Sequence, residues 1–101
     1  MPEEAGTGAP WQQQVRVRAV VHGRVQGVFF RDTLRSRAQQ HGVSGWARNR
    51  PDGTVEAVFE GPPTGVSSLV ELCRRGPRGA QVDRVETFAE QPEGLTGFSI
   101  G

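Results

Sequence analysis

The chain has 101 residues, and its 12 basic and 11 acidic side chains leave a formal net charge of +1. This balance favours neither nucleic acid nor an anionic membrane as a partner. All of the basic residues are arginines, which excludes Schiff-base chemistry and phosphate loops that rely on lysine. Two histidines and one cysteine are too few for an ordinary zinc site or an internal disulfide, so we expect no metal and a reducing, cytoplasmic location.

The N-terminal segment is polar and has no regular pattern. Residues 1–14, MPEEAGTGAPWQQQ, carry two glutamates and no apolar run, which predicts a flexible leader rather than a signal peptide or membrane anchor. No apolar stretch in the chain is long enough to span a membrane. We therefore expect no membrane partner, and one small domain over residues 15–101 with a single modest core.

The first patterned segments predict a strand followed by a helix. Residues 15–22, VRVRAVVH, alternate between apolar and polar side chains, which is typical of a half-buried strand. Its apolar face consists of Val15, Val17, Ala19 and Val21. Over residues 30–41 the apolar spacing becomes i, i+4, i+8, as in a helix, and Gly42 is a natural stop. The apolar positions of this helix are Phe30, Leu34 and Ala38.

The rest of the chain predicts a hairpin, a second helix and a final strand. Strands at 44–50 and 54–60 flank the turn PDG at 51–53, a strong hairpin signal. A helix follows that Thr64 could cap and that places Cys73, as an inert buried thiol, on its apolar stripe. Residues 81–90 predict a strand whose imperfect alternation requires a bulge or twist, and 98–100 could add a short strand.

The element order predicts an α+β fold. The order β-α-β-β-α-β is that of the ferredoxin-like arrangement, with an antiparallel sheet of four strands plus a short fifth and two helices on one face. Some domains of this kind bind nucleic acid through aromatic residues on the sheet. Here the strand 54–60 has a single aromatic residue, Phe59, which alternation places toward the core. We therefore expect no nucleic-acid partner.

The segment GRVQGVFFR, from Gly23 to Arg31, joins the first strand to the first helix. A loop that enters a helix directs several N–H groups the same way, and the helix dipole adds partial positive charge. Gly23 and Gly27 let the backbone approach a ligand, and Arg31 could bind an anion through two parallel hydrogen bonds. The composition suits a site for phosphate or carboxylate, although it also fits a plain turn followed by a solvated arginine.

A second segment, GWARNRPDGTVEAVFEG at 45–61, carries Asn49 near the end of a strand that the topology could place beside the first strand. Together the two segments resemble the acylphosphatase family. The first matches the family's GxVQGVxFR motif throughout, and the second matches over residues 45–49 and at Gly53, Val55 and Gly61. The resemblance covers roughly residues 15–100 and agrees with the β-α-β-β-α-β order.

The resemblance implies an enzyme that hydrolyses the carboxyl–phosphate bond of small-molecule acyl phosphates and gives a carboxylate and inorganic phosphate. It also implies that the enzyme is a monomer and needs no metal or other cofactor. It implies that Arg31 binds the phosphoryl group and that Asn49 orients the attacking water. Backbone groups of the loop complete the implied phosphate site, namely those of Gly23, Arg24, Val25, Gln26, Gly27, Val28, Phe29 and Phe30. The acyl group stays open, with acetyl phosphate, carbamoyl phosphate, 1,3-bisphosphoglycerate and aspartyl phosphates all compatible.

Three further points remain open in the sequence. His22 ends the first strand beside the loop and invites a role as general base, but a lone histidine there is more often structural or solvated. Either Phe29 or Phe30 could form a wall of the acyl pocket. The alternative function is a non-catalytic module that binds phosphate or an acyl phosphate, and the presence of both Arg31 and Asn49 favours the enzyme.

Overall fold

The computed structural model describes residues 14–101, so the predicted leader lies outside the described residues except for Gln14. Five strands and two helices follow in the predicted order, with the short fifth strand at the end. The strands are β1 (Val15–Arg24), β2 (Ser44–Asn49), β3 (Val55–Gly61), β4 (Gln81–Glu90) and β5 (Phe98–Ile100). The helices are α1 (Phe30–His41) and α2 (Pro63–Arg75). Neither helix of the described part is long and apolar enough to cross a membrane.

All five strands form one sheet in the order β4-β1-β3-β2-β5. The pairs β1–β3, β1–β4 and β2–β3 are antiparallel, which confirms the predicted four-stranded sheet. The fifth strand runs parallel to β2, an orientation for which the sequence gives no local signal. Because the tight turn after β2 pairs it with β3, β2 lies one strand away from β1. The expectation that the strand of Asn49 lies beside the first strand is therefore wrong.

Both helices pack on one face of the sheet and enclose the core with the apolar side of β1 and β3. On α1 the buried residues are Phe30, Leu34 and Ala38, as predicted, and the helix ends at Gly42. On α2 the buried residues are Gly65, Val66, Leu69, Leu72 and Cys73. Burial raises the pKa of the Cys73 thiol to about 12, which keeps it protonated and unreactive near neutral pH.

The start of α2 differs from the prediction. The N-cap residue is Pro62, the helix begins at Pro63, and Thr64 lies inside the first turn without capping it. The carbonyl of Pro62 accepts the N–H of Val66 at 3.0 Å, as an N-cap carbonyl does. Proline is favoured at the first helical position because its φ is already helical and its missing N–H has no partner there in any helix.

The irregular alternation of β4 has the expected cause. His22 pairs with Arg84 and the next residue, Gly23, pairs with Val82, so Asp83 is an extra residue on β4. Such a bulge restores pairing while it shifts the side-chain alternation by one position. It also brings Gly23 so close to β4 that an added Cβ would lie 2.1 Å from the carbonyl oxygen of Gln81. Gly23 is thus required by strand pairing.

The sheet face opposite the helices carries ion pairs between neighbouring strands. Arg18 of β1 binds Glu90 of β4 at 2.9 Å, and its Nη1 lies 3.6 Å from Glu56 of β3. Arg48 of β2 binds Glu56 at 2.7 Å from the other side. The guanidinium groups also cover the aromatic residues of this face, with Arg18 lying 4.4 Å from the ring centre of Phe88. The cations and aromatics of this face thus bind one another.

Glu60, at the end of β3, anchors the loop that leads to β5. Its side chain is only 4% exposed, and it accepts the guanidinium of Arg16 at 3.0 Å. It also accepts the backbone N–H groups of Glu93, Gly94 and Leu95 at 2.8–2.9 Å. Burial alone would raise the pKa of the Glu60 carboxyl, but these four donors outweigh burial and lower it. The charged form of Glu60 therefore stabilises the folded state.

We predict that Glu60→Gln lowers the free energy of unfolding at pH 7 by about 2–4 kcal/mol, because it leaves the buried Arg16 and three partly buried N–H donors without their carboxylate. A group with a lowered folded pKa stabilises fully above its unfolded pKa, about 4.3 for glutamate, and loses this effect as the pH falls through the folded value. Urea unfolding at a series of pH values should therefore show the difference from the parent shrinking below about pH 4.

The matched control is Glu56→Gln, four positions earlier on the same strand and the same face. Glu56 is buried to a similar degree, but its side-chain hydrogen bond goes to Arg48 alone. Glu56→Gln should lower the free energy of unfolding by less than half the loss in Glu60→Gln. An equal loss in both variants would show that the backbone donors of 93–95 contribute nothing special.

Candidate active site

The loop between β1 and α1 spans residues 25–29 and reverses the chain direction with two residues at positive φ. Gly27 has φ 77°, and an added Cβ there would meet nothing within 4 Å. Glycine at 27 is therefore explained by the backbone conformation rather than by lack of space. Phe29 has φ 58° and ψ 28°, which is uncommon for a bulky residue, and it occupies the N-cap position of α1.

A cavity of about 200 Å³ opens between this loop, the start of α1 and the end of β2. It is lined by Val25, Gly27, Phe29, Phe30, Arg31, Asp32 and Asn49. Pockets for drug-sized molecules typically measure roughly 300–1,000 Å³, so this cavity suits a group about the size of a phosphoryl group. The two residues singled out in the sequence, Arg31 and Asn49, thus meet in one cavity.

Arg31 lies in the first turn of α1, where its guanidinium adds to the positive end of the helix dipole. Its Nη1 donates a hydrogen bond to the main-chain oxygen of Gly101. Gly101 is itself held by its N–H, which donates to the carbonyl of Ala47 in β2 at 2.9 Å. The guanidinium is therefore oriented from the neighbouring edge of the sheet. The carboxylate of Asp32 also lines the cavity, and it binds Arg35 at 3.2 Å.

Asn49 is the last residue of β2 and pairs with Val55 of β3, so the sheet fixes its backbone. Its side-chain amide offers one acceptor oxygen and two donor hydrogens to the cavity. It thus reaches the cavity from β2, an element different from the loop and α1.

The side chain of Gln26 joins the loop to the β2–β3 hairpin. Its Nε2 donates to the carbonyl of Arg50 at 2.8 Å and to the carbonyl of Thr54 at 2.9 Å. These two carbonyls belong to the residues on either side of the hairpin turn, immediately after Asn49 and before Val55. The two hydrogen bonds set the distance between the loop and the hairpin. Sequence reasoning assigned Gln26 a backbone role only, because no spacing rule links residue 26 to residues 50 and 54.

The hairpin turn to which Gln26 binds is itself well organised. The carboxylate of Asp52 accepts the hydroxyl of Thr54 at 2.6 Å and the N–H of Thr54 at 3.0 Å. The hydroxyl and the N–H of Thr54 lower the pKa of the Asp52 carboxyl. The N–H of Arg50 donates to the Thr54 carbonyl at 2.9 Å and closes the turn. Gln26 therefore binds a rigid partner.

The other residues of the GRVQGVFFR segment have different surroundings. Gly23 and Arg24 belong to β1 and pair with Val82 and Gln81 of β4, away from the cavity. Val28 packs against the core. His22 binds Glu86 at 2.7 Å and lies in a separate surface depression with Asp52, outside the cavity of Arg31. Within residues 14–101 no three His, Cys, Asp or Glu side chains come together as a metal site.

Comparison with known proteins places the chain in a family. The acylphosphatase family profile matches residues 17–100. The chain belongs to the acylphosphatase family. It is 54% identical over 86 residues to an acylphosphatase of Gloeobacter violaceus, which covers 85% of this chain and 92% of that protein.

Solved acylphosphatase structures agree with this fold. A structure of the Coxiella burnetii protein superposes with a TM-score of 0.85 at 31% identity and covers 89% of this chain and 95% of that one. The Bacillus subtilis crystal structure gives 0.82 at 36% identity, covering 86% and 98% respectively. The ferredoxin-like architecture is confirmed, and the comparisons support an acylphosphatase enzyme.

We predict that Gln26→Ala lowers the free energy of unfolding by about 1–2 kcal/mol, because two partly buried hydrogen bonds between the loop and the hairpin are lost. Both carbonyls keep a backbone donor within the turn, so the loss is that of the bridge alone. Urea denaturation measures the change. The control is Gln39→Ala on the exposed side of α1, which removes the same side chain without a bridge to the hairpin. If both variants are equally stable, the bonds of Gln26 to the hairpin do not hold the loop.

Proposed function

We propose that the chain hydrolyses acyl phosphates at this cavity by attack of water on phosphorus. In this reaction the water oxygen bonds to phosphorus as the bond from phosphorus to the bridging oxygen breaks. The carboxylate leaves with the electron pair of that bond, and the phosphate product keeps the protons of the water until it ionises in solvent. The observation that carries the proposal is the convergence of Arg31 and Asn49 on one phosphoryl-sized cavity at the start of a helix.

Arg31 and the backbone of the loop from residue 25 to residue 30 are the proposed phosphoryl-binding groups; Gly23 and Arg24, which pair with β4 away from the cavity, are left out of the proposed set. A carboxylate is a good leaving group, so the reaction needs positioning and charge stabilisation more than a strong general acid. A guanidinium binds phosphate through two parallel N–H groups, and N–H groups at a helix start supply further donors. The N-cap position of α1 has no side-chain hydrogen bond to the first turn, so no side chain of residue 29 competes for those donors.

Asn49 is the proposed water-positioning residue. Its amide approaches from β2, whereas Arg31 and the loop approach from the β1–α1 side. In-line displacement requires the attacking oxygen and the leaving oxygen on opposite sides of phosphorus. A neutral amide can hold a water molecule without repelling the phosphoryl oxygens. A negatively charged carboxylate in the same place would repel them. We propose that these protein groups stabilise the transition state without a metal ion.

We predict that Arg31→Ala lowers kcat/KM for benzoyl phosphate by at least about 10²–10³-fold, the usual loss for one preorganised oxyanion donor. Arg31→Lys should also lower kcat/KM, because a point charge cannot reproduce the planar pair of donors. The assay follows the ultraviolet absorbance of benzoyl phosphate with EDTA present, and the parent should be insensitive to the chelator.

The control is Arg37→Ala, which removes the same charge from α1 outside the cavity and should retain the parent rate. A parent that binds inorganic phosphate through Arg31 but turns over no acyl phosphate would make the chain a non-catalytic binding module. Loss of activity in EDTA, restored by a divalent cation, would contradict the metal-free mechanism.

We predict that Asn49→Ala lowers kcat by about 10²-fold or more while the inhibition constant of inorganic phosphate changes less than threefold. The separation follows from the proposed role, since a residue that holds water affects turnover more than phosphate binding. Ser44→Ala, at the other end of β2, is the control variant. Retained turnover in Asn49→Ala would rule out the proposed role.

A further inference from the structure

Phe29 departs from the local rules at three points. It has a left-handed backbone conformation, which is a genuine outlier for a bulky residue. It occupies an N-cap position, where residues with a side-chain hydrogen-bond acceptor are strongly preferred. The residue is 77% exposed, although an aromatic side chain gains free energy from burial. Such conflicts between sequence and local structure are expected at functional sites.

The contrast with the next residue shows that exposure is specific to position 29. Phe30 is 2% exposed and belongs to the core cluster, yet both phenylalanines line the cavity. Phe30 therefore forms part of the inner wall, and Phe29 lies where the cavity meets solvent. Among the large apolar residues in the described part of the chain, the next most exposed is Phe88, at 40%.

The backbone of Phe29 is held firmly even though its ring is free. Its carbonyl accepts the N–H of Thr33 at 3.0 Å and the hydroxyl of Thr33 at 2.8 Å. On the other side, Gln26 ties the loop to the hairpin. The ring is thus attached to a fixed point at the cavity opening, which is the condition for a side chain to select among ligands.

We propose that Phe29 is a specificity-determining residue that favours acyl phosphates with a flat or apolar acyl group, an inference that rests on the proposed function of the cavity. With the phosphoryl group between Arg31 and the loop, a cavity of about 200 Å³ has no room for a large acyl group, which must extend toward the opening. An aromatic acyl group there can stack against the ring of Phe29. A small polar acyl group gains little from it.

The test is the ratio of kcat/KM for benzoyl phosphate to kcat/KM for acetyl phosphate. Phe29→Ala should lower this ratio about threefold to tenfold, the range expected for loss of one aromatic pair. Phe29→Asn should do the same, and asparagine tolerates the left-handed conformation, so this variant keeps the backbone unstrained. The control is Phe88→Ala, which removes the other exposed ring. Phe88 belongs to β4 and its ring contacts Arg18 of β1, so this variant should leave the ratio unchanged.

The outcomes separate this inference from the proposed function. If the parent hydrolyses neither substrate, the proposed function and the inference both fail. If the parent hydrolyses both and the Phe29 variants slow both equally, residue 29 supports the loop only, and the inference alone is overturned. A ratio that is unchanged in Phe29→Asn, with normal unfolding behaviour, overturns it as well. A lower ratio in both Phe29 variants but not in Phe88→Ala supports it.

Discussion

Two hydrogen bonds from one atom, Gln26 Nε2, connect the two halves of the site. They reach the carbonyls of Arg50 and Thr54, so the loop that precedes α1 is fixed relative to the hairpin that carries Asn49. Within the sheet the two segments are related only indirectly, because β3 lies between β1 and β2. A displacement of about 1 Å in a catalytic group can cost about 10²-fold in rate, so a direct bridge has functional value.

A second series of contacts reaches the same cavity from the far end of the chain. Glu60 holds the backbone of residues 93–95, and that loop leads directly into β5, which pairs with β2. The chain then brings Gly101 to the guanidinium of Arg31. The arginine is therefore restrained by its own helix and by a strand that is distant in sequence. Long arginine side chains lose rotamer entropy on binding, and such a restraint removes part of that cost before a ligand arrives.

Sequence patterns predicted the parts of this structure that depend on local chemistry. Alternation and helical spacing identified β1, α1 and the hairpin, and the motif around Arg31 identified the loop. They did not predict the parallel orientation of β5 or the bond from Gly101 to Arg31, since these depend on contacts between residues far apart in the chain. Residue preference favours Thr64 as the N-cap of α2, whereas the helix begins one residue earlier, at Pro63, whose φ is already helical.

A phenylalanine at position 29 is explained if the backbone N–H groups of the first turn of α1 have to remain available to a ligand. A serine or aspartate there would accept N–H groups of the first turn, which would stabilise the helix by about 0.5–2 kcal/mol. The same hydrogen bonds would occupy donors that an incoming phosphoryl group needs. Phe29 leaves those donors unoccupied by its side chain, and the hydroxyl of Thr33, which donates to its carbonyl, stabilises the first turn in another way. The start of α1 is thus less stable than it would be with a side-chain cap, and a bound phosphoryl group can supply the missing stabilisation.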